Sequence, residues 1–150
     1  MADAIPNLYR AQAPAPTPFG ENIGLCETDV HGLIGALKRG LPVAAFDKLR
    51  GTLEMTRVEL ATVIGISERT LARRLKAGRF NSDESERIYR MARLLAMATD
   101  VLESGKEASV WLKTPKRYLK GTAPLSYADT EVGAQAVERL LGRIEHGVFS

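Results

Sequence analysis

The chain has 150 residues, of which 45% are hydrophobic, and carries a formal net charge of +3. This hydrophobic share excludes a globally disordered protein and suffices for one ordinary domain or two small ones. The lone cysteine, Cys26, excludes an internal disulfide framework, and no apolar run approaches the roughly 18 residues that a membrane helix needs. Without a signal-peptide pattern either, we expect a soluble, cytoplasmic protein in which Cys26 is a buried, inert thiol.

The first segment, residues 1–22, holds four prolines among alanines and shows almost no apolar periodicity. Such a segment buries too little surface to offset its ordering entropy, so we expect a flexible arm. Helical spacing begins after the capping pair Thr28 and Asp29 and stops near Gly40. It resumes after Pro42, which suits the first turn of a second helix.

The next stretch predicts two short capped helices joined by a tight turn. Thr56 and Glu59 have the spacing of a capping box, and Gly65 can adopt the left-handed conformation that ends a helix. Ser67 then caps the following helix. A helix, a glycine-containing turn and a second capped helix form the pattern of a helix-turn-helix, whose second helix enters the major groove of DNA. We therefore expect a helix-turn-helix domain over residues 23–81.

The second helix of this motif carries the predicted DNA-binding residues. These are Ser67, Glu68, Arg69, Thr70, Arg73, Arg74 and Lys76. Arg69 and Arg73 lie four apart on one exposed face, where a planar guanidinium can pair with guanine or grip phosphate, whereas Leu71 and Leu75 face the core. Residues 57–79 hold six basic and two acidic residues, so this motif carries +4 and everything else sums to −1. The alternative is an ordinary solvated basic helix in an interaction bundle.

A second, mainly helical domain is predicted over residues 82–150. Its first helix is the longest of the chain, with apolar residues at helical spacing from Ser82 until Gly105, which we expect to end it. Three segments follow: a helix around Ala108–Leu112, a loop with Pro and Gly from Thr114 to Pro124, and a last helix from about Asp129 to Glu145. The predicted fold class is therefore all-α.

The small size of the helix-turn-helix module indicates that the protein binds DNA as an oligomer. A single module buries too little surface for tight specific binding, and a two-fold dimer reads two half-sites about 34 Å apart. We therefore expect at least a homodimer, with the long helix from Ser82 to Ser104 as the candidate contact.

The loop and the chain end carry a more specific pattern. Its residues are Trp111, Leu112, Thr114, Pro115, Leu119, Gly121, Pro124 and Leu125, followed by an acidic helix start and the ending GRIEHGVFS. This arrangement, W-L-x-x-P, then G-x-x-P-L and a final G-V-aromatic, resembles the Xre/MbcA/ParS family of bacterial antitoxins over about residues 28–150. Lys116 departs from the family, which commonly has Asn there, and Lys120 replaces a frequent Gly.

The resemblance implies a partner and a mechanism. Family members neutralise a toxin with a RES domain, an enzyme that resembles ADP-ribosyltransferases and consumes or uses NAD, and they repress their own operon through operator DNA. The chain end fits this role because a terminal aromatic side chain can enter a partner's cleft as a buried anchor. The predicted toxin-binding residues are Arg143, Glu145, His146, Val148, Phe149 and Ser150. The alternative is a last helix that simply packs on its own core.

The basic loop of the second half is open to several interpretations. Lys113, Lys116, Arg117 and Lys120 could contact DNA or an acidic partner, or remain solvated. Trp111 is expected to lie in the core rather than in a contact surface.

The same residues allow a second function and disfavour a third. A stand-alone dimeric transcriptional regulator needs only the helix-turn-helix and a C-terminal half that dimerises. An enzyme is disfavoured because His31 and His146 are the only histidines, and no metal-ligand spacing, phosphate loop or activated nucleophile occurs. We therefore expect no catalytic residues, no cofactor and no metal, and we expect the isolated Asp and Glu residues on solvent faces.

Overall fold

A computed structural model describes residues 20–145 and residue 147. Within this part the chain forms eight α-helices and no β-strand, which confirms the all-α prediction. The helices are α1 Val30–Arg39, α2 Val43–Thr52, α3 Arg57–Val63, α4 Glu68–Ala77, α5 Ser82–Leu102, α6 Gly105–Lys113, α7 Pro124–Tyr127 and α8 Glu131–Glu145; 3-10 turns occupy Glu21–Ile23 and Arg117–Leu119. Over the same residues, none of the helices has both the length and the apolar character that a membrane span requires.

Local capping sets the bounds of these helices. The carboxylate of Asp29 accepts a hydrogen bond from the Gly32 amide at 2.8 Å, and α1 begins directly after Asp29, at Val30. The long helix α5 ends earlier than predicted, because Glu103 adopts the left-handed conformation with φ 56°. Ser104 then caps α6, so Gly105 is the first residue of α6 and does not terminate α5.

The helix α5 lies at the centre of the molecule. It packs against α1 and α2 of the first half and against α6 and α8 of the second half. Its inward residues, among them Met91, Leu94 and Leu95, are almost completely buried. The buried apolar side chains form one continuous cluster from Ile23 to Leu141, so the two predicted domains share a single core.

Buried polar groups tie the two halves together. The Leu41 amide donates to Ser85 Oγ on α5 at 2.7 Å. Farther along, Ser109 Oγ and Lys113 Nζ on α6 both donate to the carbonyl oxygen of Leu53, at 2.9 and 2.6 Å. Because Leu53 follows α2 directly, α6 is fixed to the backbone just before the helix-turn-helix motif begins.

The N-terminal prediction is modified by the structure. Of the predicted arm over residues 1–22, residues 1–19 lie outside the described residues, whereas Glu21–Ile23 forms a 3-10 turn against the core. Asn22 Nδ2 donates to a backbone carbonyl of α5 at 2.9 Å. The prediction for Cys26 was wrong: it is exposed, because it lies on the surface connection between that turn and α1.

Candidate nucleic-acid interface and partner-binding half

The helix-turn-helix has the capping geometry that the sequence predicts. The Thr56 amide donates to Glu59 Oε1 at 2.8 Å, and the Glu59 amide donates to Thr56 Oγ1 at 3.1 Å. Gly65 occupies the turn with φ 75°, in the left-handed region. Ser67 Oγ accepts from the Thr70 amide at 3.1 Å and caps α4. The reciprocal capping box specifies where α3 begins, and the one-way cap from Ser67 specifies where α4 begins.

One side of the motif is anchored in the core. Ile66 in the turn is buried, and its amide donates to the Ala61 carbonyl at 2.8 Å. On α4, Leu71 is buried and Leu75 packs partly buried against the core, as predicted. Since these two leucines fix the inner face of α4, residues on the opposite side of the helix, such as Arg69 and Arg73, point away from the core.

The outward side of α4 is polar and cationic. Its exposed polar residues are Ser67, Glu68, Arg69, Arg73 and Lys76, with Thr70 half-buried among them. The side chains of Arg69 and Lys76 make no hydrogen bond or ion pair within the part of the chain that the structure describes. Arg73 makes one long contact, from Nη2 to Thr70 Oγ1 at 3.4 Å. These three cations thus lie at the surface of the motif, and no carboxylate in the described part of the chain pairs with them.

Arg74 has a different environment. Its Nε and Nη2 donate to Glu84 Oε1 and Oε2 at 2.7 and 3.1 Å. The hydrogen bond with Glu84 raises the pKa of Arg74. The predicted DNA-binding residue Arg74 is therefore directed to α5, where it holds α4, the second or recognition helix of the motif, against the long helix.

Glu84 corrects the expectation that the acidic residues lie on solvent faces. Its side chain is only 6% exposed, and Oε1 also accepts from the Asn81 amide at 3.0 Å in the capping box of α5. Burial by itself would raise the pKa of Glu84, but the hydrogen bonds from Arg74 and Asn81 outweigh it and place the pKa below its ordinary value. A buried carboxylate remains ionised here because it is fully paired.

Two further arginines of the motif also serve the fold. Arg57 binds Asp47 on α2 through two hydrogen bonds, of 2.9 and 2.7 Å, and chiefly through them lowers the pKa of Asp47. Arg79 donates to the carbonyl oxygen of Gly40. The six basic residues therefore divide equally: Arg57, Arg74 and Arg79 hold the structure, and Arg69, Arg73 and Lys76 face outward.

Arg87 on α5 supports the turn, and sequence reasoning missed it. Its Nη1 donates to the carbonyl oxygens of Ile64 and Gly65 at 2.8 and 3.4 Å. Carbonyls at a helix end lack partners within the helix, so this guanidinium supplies one where α3 stops. No local signal could reveal it, because Arg87 lies more than twenty residues beyond the turn in the chain.

The predicted toxin-binding residues are only partly described. Arg143 and Glu145 are exposed in the last turn of α8, whereas His146, Val148, Phe149 and Ser150 lie outside the described residues. The opposite side of α8 is buried through Val137, Leu140 and Leu141. Glu131 and Glu138 of α8 form ion pairs with Arg93 of α5. The last helix thus packs on the core and still presents its end to solvent.

The apolar face of the long helix, which was the predicted dimer contact, is not available to a second copy of the chain. The apolar stripe of α5 is buried against helices of the same chain. Its residues Ile88, Met91, Leu94, Leu95 and Ala98 are each at most 1% exposed. A contact between copies therefore needs another surface.

Comparisons with known proteins agree with this division into a DNA-binding motif and a second half. Residues 32–93 match the antitoxin Xre-like helix-turn-helix domain, and residues 97–147 match the antitoxin Xre/MbcA/ParS C-terminal toxin-binding domain. The fold and the motif thus define a helix-turn-helix protein with a toxin-binding domain, and these two domains imply DNA and a toxin as partners.

Individual similar proteins indicate the same family. An "Antitoxin Xre" of Photorhabdus laumondii is 36% identical, across 89% of this chain and 91% of that protein. One of Yersinia enterocolitica is 36% identical across 94% and 99%, and one of Pseudomonas putida is 35% identical across 65% and 60%. The chain belongs to the Xre antitoxin family.

The two matched domains meet inside α5, between residues 93 and 97. The sequence-based boundary lies at residues 81 and 82, where α5 begins. Each family domain therefore includes part of the long helix, consistent with the core that both halves share.

Proposed function

We propose that this antitoxin represses its own operon and neutralises a cognate RES-domain toxin in the cytoplasm. The toxin is an NAD-consuming enzyme of the ADP-ribosyltransferase type, and the C-terminal region of the antitoxin obstructs its active site. The observation that carries the DNA half is the outward face of α4, where Arg69, Arg73 and Lys76 have no carboxylate partner among the described residues. The toxin half rests on the family domain over residues 97–147.

The DNA half can be tested through the salt dependence of operator binding. Each phosphate contact contributes about 0.9 to the slope of log affinity against log salt concentration. Arg69→Ala with Arg73→Ala is therefore expected to weaken binding of the promoter duplex and to flatten the slope by up to about 2 if both arginines contact phosphate. Arg139→Ala, which removes an exposed arginine on α8, is the matched control.

The same double variant separates the two activities. Because Arg69 and Arg73 lie outside the toxin-binding domain, neutralisation of the toxin should persist, as measured by growth on co-expression. A folded double variant that loses both activities together would contradict the two-part proposal.

The toxin half can be tested at the chain end. Deletion of residues 147–150 removes the terminal Val148 and Phe149 but leaves the packed face of α8 intact. We expect a protein that melts like the full chain and binds the promoter duplex but no longer restores growth. Equal neutralisation by the shortened, folded protein would show that the tip does not obstruct the toxin.

A second candidate function is a stand-alone dimeric regulator. It is favoured by the exposed apolar side chains Val30 and Ile34, which lie four apart on α1 and offer a surface for self-association. We propose a homodimer in either case, which sedimentation of the purified chain measures. The two functions differ in whether the product of an adjacent reading frame co-purifies with the chain and is inhibited by it.

A further inference from the structure

A second concentration of positive charge lies outside the helix-turn-helix. Residues 105–123, which cover α6 and the following loop, contain five basic residues and one acidic residue, a net charge of +4. The whole chain carries +3 and residues 57–79 also carry +4, so the remaining residues carry a net −5. The charge of α6 and its loop is therefore a local feature that DNA binding by α4 does not explain.

An open apolar groove lies beside these charges. Leu102, Val110 and Trp111 line it together with the polar residues Lys106, Glu107, Thr114 and Lys116. Val110 is 55% exposed, and Trp111 is half-buried rather than enclosed in the core as expected. Single exposed apolar residues are ordinary, but an exposed valine that shares one groove with half-buried Leu102 and Trp111, beside a rim of net positive charge, has the composition of a protein-binding site.

Lys116 is held at the edge of this groove. Its Nζ lies 4.9 Å from the centroid of the Trp111 ring, in cation–π range. Partial burial lowers the pKa of Lys116, and none of the ion pairs among the described residues includes it. The ammonium is thus partly desolvated and positioned by the indole, yet no carboxylate of the described residues pairs with it. An incoming carboxylate would supply the missing counter-charge in a site of reduced solvent exposure.

We infer that this groove is a docking surface for an acidic patch of the toxin. An apolar side chain of the toxin packs on Val110 and Trp111, and a toxin carboxylate pairs with Lys116. The inference rests on the proposed function and adds a contact separate from the chain end. A protein is favoured over DNA as the occupant, since a sugar-phosphate backbone offers no apolar side chain to fill the groove. The lining residues also fall within the toxin-binding domain.

Matched variants of the full chain test the inference. Val110→Asp and Lys116→Glu alter the groove, while Val132→Asp and Lys38→Glu make the same changes at exposed positions elsewhere. The probes are the RES-domain toxin from the adjacent reading frame, by titration calorimetry, and the promoter duplex, by fluorescence anisotropy. Each groove variant should weaken toxin binding at least about tenfold, which corresponds to 1.4 kcal/mol, because central anchors dominate an interface. The affinity of the groove variants for the duplex and the affinity of both control variants for the toxin should stay within about twofold of the unmodified chain, since no central anchor of those contacts is lost.

A neutral variant separates charge from packing. Lys116→Met keeps the length of the side chain and its contact with the indole but removes the charge. It should weaken toxin binding less than Lys116→Glu and should flatten the salt dependence of toxin binding. All variants are compared by thermal melting, and since Val110 is exposed they are expected to fold like the full chain.

Several outcomes would overturn the inference. Groove variants that bind the toxin like the unmodified chain would exclude the groove, and loss of duplex binding instead would make it a DNA surface. A change in oligomeric state with toxin binding intact would identify a second copy of the chain as the occupant. If the unmodified chain itself fails to bind the toxin, the proposed function fails, a result distinct from binding that is insensitive to the groove.

Discussion

Replacement of Glu84 by Gln should loosen the recognition helix without changing its outward face. Gln keeps the length of the side chain and one acceptor oxygen, but it removes the charge that Arg74 binds through two hydrogen bonds. The guanidinium of Arg74 then loses its counter-charge beside a nearly buried group. Since Glu84 joins α5 to α4, the consequence should appear in stability and in DNA binding together.

The structure sets the size of the effect. Removal of one partner from a buried ion pair costs about 3–5 kcal/mol, and a hydrogen bond to a charged group contributes about 1.5–3 kcal/mol. The side chain of Arg74 is 24% exposed, so water compensates part of the loss, and Gln still accepts one hydrogen bond. We therefore expect Glu84→Gln to lower the free energy of unfolding by about 2 kcal/mol, or the melting temperature by roughly 4–8 °C at this chain length.

The effect of this substitution should depend on pH. The pKa of Glu84 in the folded protein lies below its ordinary value of 4.5, so the folded state favours the ionised form. The contribution of the charge to stability is then complete at pH values above 4.5 and is lost as the pH falls through the folded-state pKa. The difference between Glu84→Gln and the unmodified chain should shrink in strong acid for this reason.

Thermal unfolding followed by circular dichroism at pH 7 measures the loss, with Glu86→Gln as the control. Glu86 is exposed on the same helix, and its replacement should change the melting temperature by no more than about 2 °C, because surface substitutions stay within about 0.5 kcal/mol. A double-mutant cycle with Arg74→Met isolates the coupling between the two residues. If Glu84→Gln melts like Glu86→Gln, the pair does not seat the recognition helix and the reasoning is refuted.

Three further substitutions have defined outcomes. Gly65→Ala should lower stability by about 1–2 kcal/mol in chemical unfolding, because alanine is strained in the left-handed conformation of the turn. Asp47→Asn should reduce the loss of stability that acidification causes, as measured by unfolding curves at stepwise lower pH. Arg57 lowers the pKa of Asp47 below 3.8, and the stabilisation that the ionised carboxylate provides disappears as the pH falls through the lowered value. Ser109→Ala should cost about 1 kcal/mol in thermal unfolding, because the Leu53 carbonyl loses one of two donors.

Local chemistry made the helix-turn-helix predictable. Thr56 with Glu59, Gly65 and Ser67 each act within three or four residues of the chain, so their spacing alone determines which amides they can cap. Periodicity likewise placed Leu71 toward the core. The boundary between α5 and α6 was missed because Gly105 was expected to end α5. The adjacent Ser104, which caps α6, has the stronger local effect.

Contacts between elements far apart in the chain could not be predicted from the sequence. Spacing identifies a polar face of α4 but not which helix lies opposite it, so Arg74 was assigned to DNA although Glu84 of α5 faces it. The same limit hid Arg87, whose partners are the turn carbonyls. The exposure of Cys26 was missed for a related reason, since the burial of a short connection depends on where its neighbours pack.

The shared helix α5 determines which variants can separate the two activities. Its first turns hold the recognition helix through Glu84 and the turn through Arg87, and its middle holds α8 through Arg93. A substitution at any of these positions disturbs both halves, because one core and one helix serve both. Loss of both activities in such a variant would therefore say nothing about a direct contact. Only outward side chains that the fold does not use, such as Arg69 and Val110, can assign DNA and toxin to separate surfaces.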